Sequence, residues 1–299
     1  MPVYNGIPYL TEAIRSILSQ SFSDFECIII NDGSTDDSEK VITGFNDNRI
    51  IYIKNEINLG LIESLNKGIR LAKGKYIARM DQDDVAFTNR FELQVQKFSQ
   101  NPSAMVVGSD YQLLKGNAYK NVKNRDDSDY NKAVLFFSTC FCHPTVMMRN
   151  VFKDKNVFYD KNCVHAEDYK LWTDIFSFGD FLNVNQALLK YRSHDSQTST
   201  KNRASQLQIS REIRRNYCKK TNFNLSEEQF ETLNFIGNNS FITTKSELHK
   251  IEDCLLALRN QNLQHKTFNE TSFNIFLHKF WLDSCGNTNI GFRAYSIYK

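Results

Sequence analysis

No run of apolar residues in this 299-residue chain is long enough to span a bilayer, and no stretch reads as a secretory signal, so a cytoplasmic protein is expected. Charge of one sign is also lacking. Lys and Arg exceed Asp and Glu by only 3, too little to argue for nucleic acid as a partner. There is no disulfide framework: seven cysteines, an odd number without framework spacing, fit reduced thiols. Cys140-Phe141-Cys142-His143 lacks the second Cys/His pair that a zinc site needs, and alternating cysteines on one strand face are expected instead. Internal repeats and low-complexity tracts are absent. With 41% hydrophobic and 24% charged residues, the chain has the balance of a globular protein with a sizeable core.

What is present centres on Tyr76-Ile77-Ala78-Arg79-Met80-Asp81-Gln82-Asp83-Asp84, an apolar run of strand length that ends in three acids within four positions. Alternation along an extended chain puts Asp81 and Asp83 on one side. Carboxylates that close repel, and a cation between or beyond them relieves the repulsion. Oxygen ligands that also face a phosphate suit Mg²⁺ or Mn²⁺. A polar turn after a strand carries the same residue types, so the flanking chain has to separate the two readings.

Upstream, Met1-Pro2-Val3-Tyr4-Asn5-Gly6 reads as a turn into a helix with Leu10, Ala13, Ile14, Ile17 and Leu18 on one face. A buried parallel strand is expected from Phe25 to Ile30. It is followed by a turn at Asn31 to Asp36 and a helix capped by Ser34 or Thr35 that runs to about Phe45. Ile50 to Lys54 reads as a strand, Asn55 to Gly60 as a loop, and Ile62, Leu65, Ile69 and Ala72 as one helical face. This alternation predicts βαβ units in an α/β fold with a parallel sheet, where ligands bind beyond the carboxyl ends of the strands. Asp32 and Asp81 both sit at such ends and can face one ligand.

Downstream, a helix near Asn89 to Ser99 and a strand from Ala104 to Ser109 precede a polar excursion over 110–131. A helix from Ala166 to Phe178 carries Glu167 and Asp168 in its first turn, where acids gain from the helix dipole whatever their job. Beyond about Thr200 only helical patterns recur. Residues 1–200 therefore read as the α/β domain and 201–299 as a C-terminal helical region. Arg211, Arg214, Arg215, Lys219 and Lys220 form a basic helical face, either solvated or resting on anionic lipid at the inner face of the membrane.

Several short motifs then fall in a telling order. They are Pro2-Val3-Tyr4-Asn5, Asn31-Asp32-Gly33-Ser34-Thr35-Asp36, Asn58-Leu59-Gly60 with Leu65-Asn66-Lys67-Gly68, and the acidic stretch from Ala78 to Asp84. His143-Pro144-Thr145, Ala166-Glu167-Asp168-Tyr169 and Tyr191-Arg192-Ser193-His194 follow. Each is weak alone. In this order, over roughly the first two thirds of the chain, they resemble a family 2 glycosyltransferase of the bacterial cell-surface polysaccharide type, with the GT-A fold and its Rossmann-like, mostly parallel sheet.

The resemblance implies a nucleotide-sugar donor, most often UDP-linked, a Mn or Mg cation, and a glycan or lipid-linked acceptor. By that likeness Pro2, Tyr4 and Asp32 line the uracil and ribose pocket, with Asp32 accepting a hydrogen bond from the base. Asn58, Lys67 and Arg79 sit near the nucleotide or sugar, Asp81 meets ribose or sugar hydroxyls, and Asp83 meets the metal on the diphosphate. Asp168 looks like the general base with Glu167 as its orienting partner, and His194 is similar to a late histidine that approaches the metal in some relatives. A sugar leaving its diphosphate has an oxocarbenium-like transition state, which needs charge neutralised on the phosphates and a carboxylate to take the acceptor's proton. One base and direct displacement invert the anomeric carbon.

Plainer readings stand beside these: Asp32 as a turn cap, Lys67 and Arg79 as solvated charges, Glu167 and Asp168 as helix-dipole acids, and His194 as a polar turn residue. The family normally places an apolar strand immediately before Pro2, which makes Met1 an expected internal methionine with the natural start upstream. Gln82 stands where a small residue is common, and is tolerable if its side chain points away from the sugar. Two rival functions remain. Asp81-Gln82-Asp83-Asp84-Val85 satisfies the Asp-x-Asp-x-Val pattern of a Mg²⁺-dependent phosphohydrolase of the haloacid-dehalogenase type, although that motif normally opens its domain. A non-catalytic nucleotide-sugar binding module is the other.

Overall fold

A computed structural model describes residues 1–116, 118–193, 203–238 and 240–286. Its first part follows the strand–helix alternation of the sequence. Strand β1 (Pro2–Val3) leads to α1 (Leu10–Leu18), β2 (Cys27–Asp32) to α2 (Ser38–Thr43), β3 (Ile50–Asn55) to α3 (Leu61–Leu71), and β4 (Tyr76–Ala78) to the acidic loop. Helix α1 buries Leu10, Ala13, Ile14 and Ile17, residues at helical 3–4 spacing, in one core with Val3, Ile29 and Met80. Strands β1, β2 and β3 form a parallel sheet in which Pro2 lies opposite Ile30 and Asp32 opposite Asn55. The last polar residues of β2 and β3 therefore finish side by side.

Strand β5 (Val85–Ala86), α4 (Arg90–Gln100), β6 (Ala104–Lys115), β7 (Ala118–Val122), α5 (Ser128–Val134), β8 (Met147–Arg149), α6 (Phe152–Lys155), α7 (Glu167–Ile175) and β9 (Asp180–Ser193) follow. The second sheet has the order β4-β8-β6-β9-β5, with β7 paired to β6. It is mixed: β6 and β9 run parallel, while the β4–β8, β6–β8, β5–β9 and β6–β7 pairs are antiparallel.

Four local expectations are corrected. Residues 110–131 are not an irregular excursion, because β6 continues to Lys115 and pairs with β7; the exposure expected there does hold along most of β7. The polar residues there serve backbone groups: buried Asp110 accepts from the Asn124 N–H at 2.6 Å, and Asn124 Nδ2 donates to the Ser109 carbonyl at 2.7 Å. Cys140 and Cys142 lie outside any strand, and all seven cysteines are free thiols. Helix α2 starts at Ser38, not at a Ser34 or Thr35 cap. Ser34 Oγ and the Thr35 N–H are instead bonded to Asn5, across 29 and 30 residues. Of the basic helical face, Arg214 is withdrawn into the core of the helical unit.

The C-terminal elements are α8 (Arg203–Lys220), α9 (Glu227–Gly237), α10 (Lys245–His265) and α11 (Glu270–Gly286). Two compact units emerge: Met1–Asp126 with the chain from Phe141, and Asp127–Cys140 with the chain from Arg203. The helical unit is thus discontinuous, with α5 and the residues after it belonging to its core. There the Phe136 ring packs with Tyr217, Phe223, Phe268 and Phe273, and Phe137 packs with Phe276. Arg214 is buried, donating to the Phe137 carbonyl at 2.9 Å and to the side chains of Asn234 and Asn238. Arg211 pairs with Glu231, while Arg215 pairs with Glu227 at 2.7 Å and lies 3.9 Å above the Phe230 ring. Arg211 and Arg215 stay half-exposed in these pairs, and Lys219 and Lys220 are exposed. No helix among the described residues is long and apolar enough to cross a membrane.

Candidate active site

The loops that leave the carboxyl ends of β1 to β4 are tied to one another by side chains. Asn5, in the left-handed region at φ +49, donates its N–H to Ser34 Oγ and accepts the Thr35 N–H at 2.8 Å. The Gly6 N–H reaches Ser38 Oγ at 2.9 Å. Asp32 is buried, and its carboxylate accepts from Asn55 Nδ2 at 2.7 Å, the Leu59 N–H at 3.0 Å and the Gly60 N–H at 2.8 Å. Lys67 Nζ in turn donates to Asn55 Oδ1 at 2.5 Å. Asn58 Oδ1 accepts from the Gly60 N–H at 3.0 Å, closing the turn. Gly33, at φ +70, is required where it stands, since a Cβ there would lie 2.6 Å from the Ile57 carbonyl carbon.

The acidic stretch bends. Strand β4 ends at Ala78, and residues 79–84 form a loop, so alternation along a strand does not set the carboxylates' directions. The bend gathers three acids: one carboxylate oxygen from each of Asp81, Asp83 and Asp84 lies within 4.8 Å of the others. Arg79 is buried and forms an ion pair with Asp81. Burial alone would lower its pKa, but the Asp81 carboxylate beside it outweighs this and the net shift is upward. For Asp81, burial raises the pKa, with the charge of Asp83 adding and Arg79 opposing.

Asp84 Oδ1 accepts the Arg192 N–H at 2.9 Å, while Asp84 Oδ2 and Arg79 Nε are buried with no hydrogen-bond partner. Burial, with the Asp81 charge next, pushes Asp84 up to about 8. Arg90, also buried, braces the loop from beneath by donating to the Arg79 carbonyl at 2.8 Å. Three clustered carboxylates, one with a buried orphan oxygen, beside the ion pair of Asp81 with Arg79, fit a hard divalent cation with oxygen ligands.

The second acidic group opens α7. Glu167 is buried and Asp168 half-buried, and the Asp168 carboxylate accepts the Tyr169 N–H at 2.7 Å. Burial, then the charge of Asp168, raises Glu167 to about 7. Nearby chain supplies a buried polar pair, His143 Nε2 and the Tyr159 hydroxyl, 2.7 Å apart. Asn66 fixes Tyr159 from behind through two backbone hydrogen bonds of 2.9 Å. The Tyr159 hydroxyl is pushed up by burial first, and the charges of Arg79, Asp168, Glu167 and Asp81 all act on it. The acidic loop and the start of α7 thus share electrostatic neighbours.

Pro2 is half-buried in β1, the Tyr4 ring is 45% exposed, and Asp32, Lys67 and Asn58 are engaged in holding loops. A base-reading Asp32 is left with one lone-pair direction out of about four. Arg79 and Lys67 are bonded side chains, not solvated charges. His194 lies outside the described residues. Four participants had no role in the sequence reading. Asp84 was visible as the third acid of its run, and Arg192 within its motif. Asn55 and Tyr159 carried no local signal, because their partners lie 12 and 93 residues away.

Comparison with known proteins bears on this geometry. Residues 1–158 match the family described as Glycosyl transferase family 2. The O-antigen biosynthesis glycosyltransferase WbnJ of Escherichia coli is 35% identical over 208 residues, which cover 66% of this chain and 80% of that protein. S. aureus TarS 1-349, solved in complex with UDP-GlcNAc, superposes with a TM-score of 0.64 at 16% identity, covering 97% of this chain and 92% of that one. The mannosyltransferase PcManGT from Pyrobaculum calidifontis, in complex with GDP-Man and Mn2+, superposes at 0.54 with 13% identity, covering 95% and 85%. At those identities the two structures establish a shared fold alone.

Proposed function

The chain belongs to glycosyl transferase family 2, and from that premise we propose an inverting, cation-dependent transfer of a sugar from a UDP-linked donor to a hydroxyl acceptor in cell-surface polysaccharide synthesis. The observation that carries the reading is the convergence of Asp81, Asp83 and Asp84, with a buried orphan oxygen among them, at the carboxyl end of a strand. The name of WbnJ supports the polysaccharide role, the UDP-GlcNAc complex of TarS supports the nucleotide, and the Mn2+ of PcManGT supports the cation.

In this reading the exposed Tyr4 ring and Pro2 cover the base, and Asp32 shapes the pocket by holding the 55–60 loop while offering its remaining lone pair. Lys67 supports that loop through Asn55, and Asn58 closes its turn towards the nucleotide. Asp83, with Asp81 and Asp84, would hold Mn²⁺ or Mg²⁺, which supplies Lewis-acid neutralisation of the departing diphosphate. Arg79 favours the ionised form of Asp81 against its burial and orients it towards ribose or sugar hydroxyls. Asp168 takes the acceptor hydroxyl's proton as the new bond forms on the face opposite the leaving group, which inverts the anomeric carbon. Glu167 stands beside it in the first turn of α7 as its orienting partner.

The test joins binding to turnover. With Mn²⁺ present, UDP-sugars are expected to raise the melting temperature of the wild type and of Asp168→Asn alike, while transfer by the variant falls by at least ~10²-fold. Near-normal transfer by Asp168→Asn removes it from the base role. A melting temperature unmoved by any nucleotide diphosphate with Mn²⁺ overturns the donor assignment.

A further inference from the structure

Gln82 sits between two of the clustered acids, and its side chain is turned to the backbone of Tyr4. Its Oε1 accepts the Tyr4 N–H at 2.8 Å, and its Nε2 donates to the Tyr4 carbonyl at 3.1 Å. Tyr4 lies just past the end of β1, where the sheet no longer pairs its peptide groups, so both are open to a side-chain amide. Gln carries a donor and an acceptor on a stem long enough to reach them. Space for the amide depends on Gly6: a Cβ there would come 3.0 Å from Gln82 Oε1 and 3.3 Å from Leu10 Cβ. The gripped segment is itself anchored on the loop after β2 through Asn5 and Gly6.

We infer that Gln82 is a positioning residue that couples the cation site to the nucleobase loop, so that each ligand strengthens the binding of the other through the protein. The inference rests on the donor reading above. Gln82 stands between two proposed cation ligands and holds both backbone groups of Tyr4, so a constraint placed on Asp81 and Asp83 reaches the exposed residue offered to a base. Either ligand thus restrains the same two loops, and linkage makes the effect reciprocal.

A nucleoside separates this route from direct contact, because uridine has no phosphate with which to bridge to a metal. Mn²⁺ is titrated into the wild type by calorimetry and by the EPR signal of the free ion, with and without saturating uridine, or guanosine if that is the nucleoside that binds. The expected result is an Mn²⁺ Kd lowered about 5-fold by the nucleoside, with the same factor for the nucleoside when Mn²⁺ is saturating. Gln82→Met keeps the length and loses both hydrogen bonds, and its factor is expected to fall to about 1. Gly6→Ala, which pushes on the amide from the other side, is expected to do the same. A wild-type factor of 1 with normal UDP–Mn²⁺ binding overturns the coupling and leaves the donor reading standing. So does Gln82→Met retaining the wild-type factor. Failure of both nucleosides and of UDP to bind the wild type overturns the donor reading, and the coupling with it.

Discussion

Asp84 does not behave as an ordinary carboxylate. Its carboxyl is buried against two other acids, with one oxygen unpartnered, and its pKa is raised from 3.8 to about 8. Between those values the folded protein keeps a proton that the unfolded chain has released. Stability of the metal-free protein therefore falls as pH rises from about 4 to about 8, and this contribution is fully present only below the unfolded pKa. Asp84→Asn retains an oxygen for the Arg192 N–H and cannot ionise. It is expected to flatten the dependence of melting temperature on pH over that window in EDTA, and to weaken Mn²⁺ binding by about 10- to 100-fold. An unchanged pH slope in the variant would show that Asp84 is not the group titrating in that window, and an unchanged Mn²⁺ affinity would remove it from the cation site.

At the scale of elements, the site is made by strand ends and by the short turns that follow them. The turn after β2 passes so close to the 55–60 loop that only glycine fits at 33, where the backbone has φ +70 and an added Cβ would meet the Ile57 and Asn58 backbone at 2.6 and 2.7 Å. Gly33→Ala combines a strained backbone with a clash that no side-chain rotation relieves. A loss of about 1–3 kcal/mol from the strain is expected, together with weaker UDP binding as the 55–60 loop is displaced. Gly60, at φ +90, has nothing within 4 Å of an added Cβ, so Gly60→Ala carries the strain without the clash. Urea unfolding and UDP titration of both variants check this. If Gly60→Ala proves the more damaging, the close approach of the two loops is not what holds the pocket.

For the molecule as a whole, the helical unit draws on two separated pieces of chain. Leu135, Phe136 and Phe137 are fully buried, and the rings around Phe136 come from beyond residue 203. A fragment of residues 1–202 keeps every residue of the proposed chemistry that has been described, yet strips those side chains of their cover. It is expected to aggregate, or to bind a hydrophobic dye such as ANS strongly, where the full chain does not. A monomeric fragment that melts cooperatively and binds no dye would show that 127–140 can repack without the helices.

Much was legible in the residues alone. The alternation of apolar runs with helical faces located α1 and β2 to within about two residues, and the order of short motifs identified the family before any coordinates. Local chemistry sufficed there, because periodicity and turn-forming residues act over a few neighbours. The polar stretch at 110–131 is exposed along most of β7, but its polarity hid the pairing of β6 with β7 and the backbone groups that Asp110 and Asn124 satisfy. Likewise nothing near Asp32 announced that Asn55, Leu59 and Gly60 would occupy its carboxylate, nor did anything near Gln82 point to Tyr4. The types of residue at a site are written along the chain. Which of them spend their hydrogen bonds on one another, and which keep one for a ligand, depends on distances between segments 23 to 78 residues apart, and packing alone brings those together.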